Sequence, residues 1–147
     1  MDFNEFSKIV DEKMVSNPIW FGLESDSKST DDDITEIENS ISIILPQEYK
    51  QFVKNYGGGY FAFTNVFSGI RDSEWYIVTQ NIEAGFNEAN SFIAVSDNGT
   101  GDFYGFEVND GKCESKISFY DHEDNTVKTT QYSNLFDYLV KVGLNSR

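Results

Sequence analysis

His122 is the only histidine in this chain, and it stands between Asp121 on one side and Glu123 and Asp124 on the other. An imidazole beside carboxylates suits general acid–base catalysis when a partner and a pocket fix its position. This cluster falls between expected strands, so a solvated turn accounts for it without a catalytic role. Asp121, Glu123 and Asn125 also copy the first three ligand spacings of an EF-hand calcium loop. Thr126 stands where that loop requires glycine, and Tyr132 where it requires a bidentate glutamate, so the match fails. Asp97-Asn98-Gly99-Thr100-Gly101-Asp102 could grip a cation weakly, yet turn chemistry alone explains it. Cys113 is the single cysteine and has no CxxC companion, which leaves zinc and redox chemistry unsupported. Gly57-Gly58-Gly59 follows a helical segment where a phosphate cradle would precede one. No catalytic residue, metal or cofactor is expected.

Surface recognition is the chemistry that remains. Trp75, Tyr76 and Tyr104 fall in segments with strand-like alternation, where one face must point away from the core. Asp72, Glu74, Asp97, Asp102 and Glu107 flank them. Aromatic anchors with acidic neighbours suit a basic partner surface. Asp72, Glu74, Trp75, Asp97, Asp102, Tyr104 and Glu107 are accordingly the candidate partner-binding residues. The net charge of −14 points the same way, and between Asn55 and Gly111 the only basic side chain is Arg71. Such a field repels nucleic-acid phosphates and anionic membrane and attracts basic proteins. The expected arrangement is a rigid anionic face, although acidity also serves solubility and both uses stay open.

The elements that must position these residues are marked along the chain. At 147 residues the size is that of one domain covering 1–147. No apolar run approaches the roughly 18–20 residues of a membrane-spanning helix. The opening Met1-Asp2-Phe3-Asn4-Glu5 is acidic where a signal peptide is basic, and the lone cysteine suits a reducing compartment, so a cytoplasmic location is expected. Asp2 and Glu5 have capping-box spacing ahead of the helical stripe Phe3, Phe6, Val10 and Met14. Thr30 and Asp33 repeat that spacing ahead of Ile34, Ile37 and Ile41. Pro46 suits the first turn of a third helix, in which Tyr49, Phe52, Val53 and Tyr56 recur at core-facing positions. Gly57 then provides a left-handed stop.

Beyond that stop the period changes to alternation. Strands are expected over 60–67, 75–79, 92–95, 103–108, 117–120 and, from a weaker signal, 127–130. Within 60–67 the pattern puts Phe61, Phe63 and Phe67 on one face and Tyr60, Ala62 and Val66 on the other. A short helical turn is expected near 82–84, and hairpin turns at 97–102 and 109–111. A last helix opening at Ser133 would turn Leu135, Phe136, Leu139 and Val142 inward. Most connections are too short for parallel crossovers. The expected fold is α+β: a largely antiparallel sheet of about six strands with N-terminal helices and a C-terminal helix packed on it.

The run Leu45-Pro46-x-x-Tyr49-x-x-Phe52 followed by a Gly-Gly pair resembles the signature of the SUKH superfamily. This is the SMI/KNR-type group of bacterial immunity proteins and fungal cell-wall assembly regulators. Phe92-Ile93-Ala94-Val95 leading into Asp97-Asn98-Gly99-x-Gly101-Asp102, and the late Leu135-Phe136-Asp137-Tyr138-Leu139, extend the resemblance from Ile34 to Leu139. Ser42 stands where a glycine is usual, and Asn134 where a serine is usual; both positions support the fold and carry no chemistry. The resemblance implies a single α+β domain without enzymatic activity. It implies a binding role, which in many bacterial members is neutralisation of a toxin's catalytic domain, often a nuclease. A regulatory scaffold related to cell-wall assembly is the alternative, and a carboxylate-based hydrolase would need a pocket that no spacing specifies. For the α-helical core, Tyr49→Ala or Phe52→Ala is expected to lower stability by about 3–5 kcal/mol in urea denaturation.

Overall fold

The computed structural model of the protein describes residues 1–23, 25–87 and 91–145. Helix α1 (Phe3–Ser16) starts at Asp2, whose carboxylate accepts from the Glu5 N–H at 2.8 Å. A 3-10 turn (Pro18–Phe21) carries Trp20 and Phe21, which the sequence leaves in a loop. Helix α2 (Asp31–Ile41) begins with a complete capping box between Thr30 and Asp33. The aspartates of its first turn lie at the positive end of the helix dipole. Helix α3 (Gln47–Tyr56) follows Pro46 and buries Tyr49, Phe52 and Val53 completely. Each of these contributes about 1.5–3 kcal/mol before conformational entropy is set against it. Gly57 ends the helix at φ +88°, and a Cβ there would lie 2.0 Å from the Asp26 carbonyl oxygen, so glycine is required twice over.

Two antiparallel sheets follow. Strands β1 (Gly59–Phe61) and β2 (Thr64–Val66) form a small hairpin. Strands β3 (Phe92–Asp97), β4 (Phe103–Asn109), β5 (Lys112–Asp121) and β6 (Thr126–Thr129) form a four-stranded meander in that order. Between the sheets lies helix α4 (Ile77–Ala84). Helix α5 (Leu135–Tyr138) starts at Asn134 and continues as a π-helical turn over Leu139–Gly143.

Two expectations are corrected. The single strand over 60–67 is broken at Ala62 and Phe63, where Ala62 adopts φ +48° and the Phe63 N–H donates to the Gly143 carbonyl at 3.0 Å. Phe63 therefore projects from the hairpin tip, 52% exposed, while Phe61 and Phe67 are buried. This turn uses neither Gly, Pro nor Asn, so the alternation runs through it unmarked. The strand over 75–79 is instead the entry into α4, and the helical turn expected near 82–84 is the end of that helix. Its buried positions, Ile77 and Asn81, are four apart as a helix requires, but the second is polar.

Asn81 explains why a polar residue is buried there. Its side-chain amide donates to the Ala94 carbonyl at 2.9 Å and accepts from the Ala94 N–H at 2.8 Å. Asn65 does the same at Asp97, donating to its carbonyl and accepting from its N–H, both at 3.1 Å. Between them the Phe67 N–H donates to the Val95 carbonyl at 2.8 Å. Strand β3 lies at the edge of its sheet. Side-chain amides and one backbone bond thus complete the ladder of an edge that is otherwise open to other chains. The hydrophobic core is continuous around it: Phe6 of α1 stacks on Phe136 of α5 at 4.7 Å and packs edge-on to Tyr56 of α3 at 5.7 Å. Asn81→Ala leaves a buried donor and a buried acceptor on Ala94 unpaired. The expected loss is about 2–5 kcal/mol of unfolding free energy, measured by chemical denaturation.

Candidate functional site

An open groove of about 670 Å³ lies over the β1–β2 and β3–β4 hairpins. Tyr60, Phe63, Trp75 and Tyr104 supply aromatic surface; Thr64, Asn65, Asp97, Asn98, Tyr138 and Val142 are among the other lining residues. Tyr60 is the outward residue of β1 and is 46% exposed. Its ring meets Trp75 edge-on at 5.2 Å. Trp75 is positioned through its backbone, which receives Ser68 N–H at its carbonyl and donates its own N–H to Ser73 Oγ. Phe63 is held against Trp20 at 5.0 Å. Tyr104 of β4 pairs with Phe119 of β5 and packs on Tyr138 at 4.6 Å.

A chain of hydroxyls lies beneath this surface. Tyr138 Oη is 2.9 Å from Ser96 Oγ and 3.3 Å from Thr64 Oγ1. Burial pushes the Tyr138 phenol up to about 12, so it stays protonated and neutral near pH 7. Asp97 is the one carboxylate among the described groove-lining residues, fixed by the two bonds between Asn65 and its backbone.

The groove brings together Trp75, Asp97 and Tyr104 from the residues singled out by sequence. Asp72 and Glu74 are exposed in the turn that leads into Trp75. Asp102 is turned away toward His122, and Glu107 accepts from Ser118 Oγ outside the groove. Tyr76 belongs to the core, buried beside Ile77. The sequence missed Tyr60, Phe63, Asn65 and Tyr138 as site residues. The strand pattern over 60–67 put Phe63 on one face with Phe61 and Phe67, which are buried, and so gave no sign that Phe63 is exposed. The anionic face also needs correction. Exposed carboxylates occur on α1, on α2, in the turn before α4 and in the β4–β5 and β5–β6 turns of the meander, so the charge is spread over the molecule.

The histidine cluster has a structural explanation. Asp102 accepts from both the backbone N–H of His122 at 3.0 Å and its Nδ1 at 2.6 Å. Asn98 Nδ2 donates to the other oxygen of Asp102. The tip of the β3–β4 hairpin is thereby tied to the β5–β6 turn. Across that turn Lys128 of β6 bridges Asp121, at the end of β5, and Asp124. Ligand atoms of Asp102, Asp121 and His122 come within 4.8 Å of one another, but both carboxylates already accept hydrogen bonds or an ion pair. Cys113 is buried, and loss of hydration raises its thiol to about 12, leaving it unreactive near neutrality.

These features define an α+β protein with an open aromatic groove and no catalytic constellation lining it among the described residues. Residues 31–139 match the SUKH_6 family, described as SMI1-KNR4 cell-wall, and the chain belongs to that family. The match runs from the start of α2 to Leu139, so it takes in both hairpins and the groove-lining residues other than Val142 and Asn145. Among curated proteins, none matches the chain. No helix among the described residues is long and apolar enough to cross a membrane.

The Asp102–His122 contact fixes a pH response. Hydrogen bonding by His122 lowers Asp102 from 3.8 to about 2, and the Asp102 carboxylate raises His122 above 6.5. A raised histidine contributes stability below its unfolded value and loses it as pH rises through the folded one. A depressed carboxylate contributes above its unfolded value and loses it as pH falls through the folded one. The clamp is therefore complete between pH 3.8 and 6.5 and weakens outside that window. Titration of His122 by NMR is expected to give a pKa above 6.5, and Asp102→Asn to return it toward that value.

Proposed function

We propose that this protein is an immunity-type binding protein, folded as one domain, that captures the catalytic domain of a toxin and blocks its active site. A nuclease domain is the favoured partner class, because such domains carry cationic surfaces for phosphate that an acidic protein attracts. The inhibitor acts by occlusion and performs no catalysis. The observation that carries this reading is the aromatic groove within a SUKH-family fold. It supplies rigid rings at a concave surface, the side-chain type that dominates binding energy in protein interfaces.

Charge and groove have separate duties in this reading. The net charge of −14 raises the encounter rate from a distance, with no need for the carboxylates to share one face. Contact at short range falls to Tyr60, Phe63, Trp75 and Tyr104. The family's description favours a second reading, a scaffold in cell-wall assembly. A pull-down that recovers wall-synthesis proteins and no toxin would put that reading first.

A nuclease toxin is expected to be encoded beside this gene, co-expression of the two to restore growth, and Trp75→Ala to reduce that protection. With the purified toxin domain, association is expected to approach about 10⁸ M⁻¹s⁻¹ at low salt and to slow steeply with ionic strength. A rate indifferent to salt would rule out steering by charge.

A further inference from the structure

We infer that the groove receives an arginine side chain of the partner, with its guanidinium against the aromatic walls and Asp97 as the counter-charge. This rests on the binding reading above and adds the chemistry of the contact. Ring faces attract cations, and a carboxylate beside them deepens the same potential. Among the described residues that line the groove there is no lysine or arginine, and Asp97 has no ion-pair partner among them.

The hydrogen bonds of Asp97 show which atom is free to bind. Its Oδ1 accepts from the Gly99 N–H at 3.0 Å and from Asn65 Nδ2 at 3.5 Å. Its Oδ2 takes no hydrogen bond among the described residues. Asn65 also fixes the Asp97 backbone, so the carboxylate is set in place before any ligand arrives.

A comparison within the molecule supports the assignment. At Trp20 a cation is already in position: Lys13 Nζ sits 5.4 Å from that ring centre. Trp75 has Tyr60 edge-on instead, and among the described residues no cation lies over its ring. Beneath the groove, the hydroxyls of Tyr138, Ser96 and Thr64 bond one another and offer no positive charge to an anion. A phosphate or carboxylate ligand would thus face Asp97 with no cation among the described lining residues to offset it. Between the two protein cations, arginine fits better, since its guanidinium is planar, stacks on rings and is less strongly hydrated than an ammonium.

The test uses the full chain and Nα-acetyl-arginine methylamide as probe, followed by NMR. Saturable shifts are expected at Tyr60, Phe63, the Trp75 indole and the Asn65 amide. The neutral citrulline analogue should leave them unmoved, and Asp97→Asn should weaken arginine binding about five- to tenfold. Asn at this position keeps an acceptor for Gly99, and an unchanged spectrum elsewhere would verify the fold. Equal binding of citrulline, or shifts scattered over the acidic surface and insensitive to Asp97→Asn, would overturn the inference. Toxin protection is scored separately in cells. Protection without arginine binding removes this inference and keeps the proposed function; arginine binding without protection does the reverse.

Discussion

The edge of β3 is the constraint on which the rest of the structure depends. A buried strand edge must have its N–H and C=O groups paired, and no fifth strand lies beyond it in the four-stranded sheet. Three neighbouring residues meet the need: Asn81 from α4, Phe67 after β2, and Asn65 within β2. That requirement draws the helix just before β3, and a hairpin 32 residues earlier at the Asn65–Asp97 contact, against one strand. It also determines where the groove walls stand, because Asn65 connects Asp97 of the meander to the hairpin that bears Tyr60 and Phe63.

The division of labour between charge and rings follows from range. An ion field acts across a Debye length of about 8 Å at physiological salt, so it guides approach and cannot choose among basic proteins. Aromatic contact requires fit and water exclusion, and so it selects. Carboxylates spread over α1, α2 and the turns suffice for the first role. Many of them also have local duties as helix caps or turn clamps, as Asp2, Asp33 and Asp102 show. Acidity here is a sum of small structural uses as much as a binding device.

Legibility in the sequence tracked how far each local signal agreed with the tertiary demand. From Thr30 to Gly57, caps, stripes, proline and glycine all give the same answer, and helices α2 and α3 lie where those signals put them. Strands β3 to β6 were visible because their turns carry Asn, Asp and Gly. Helix α4 was hidden because its second core position is an asparagine, whose value lies in pairing with a strand that no periodicity reveals. The β1–β2 turn was hidden because Ala62 takes a left-handed conformation without a residue that usually marks one. Of the site, Trp75, Asp97 and Tyr104 could be chosen as aromatic and acidic residues flanking turns. Tyr138 could not, since its burial is complete and it reads as core.

Phe63 hangs from the carbonyl of Gly143, and a side chain at that glycine would lie 3.0 Å from Thr64 Cγ2. One rim of the groove is therefore fastened to the last helical turn instead of to the sheet. Strain introduced in that turn, for instance by a rigid fusion placed just after it, would be delivered to a ring some eighty residues earlier along the polypeptide. The groove's shape is in this sense a property of how the closing helix is seated.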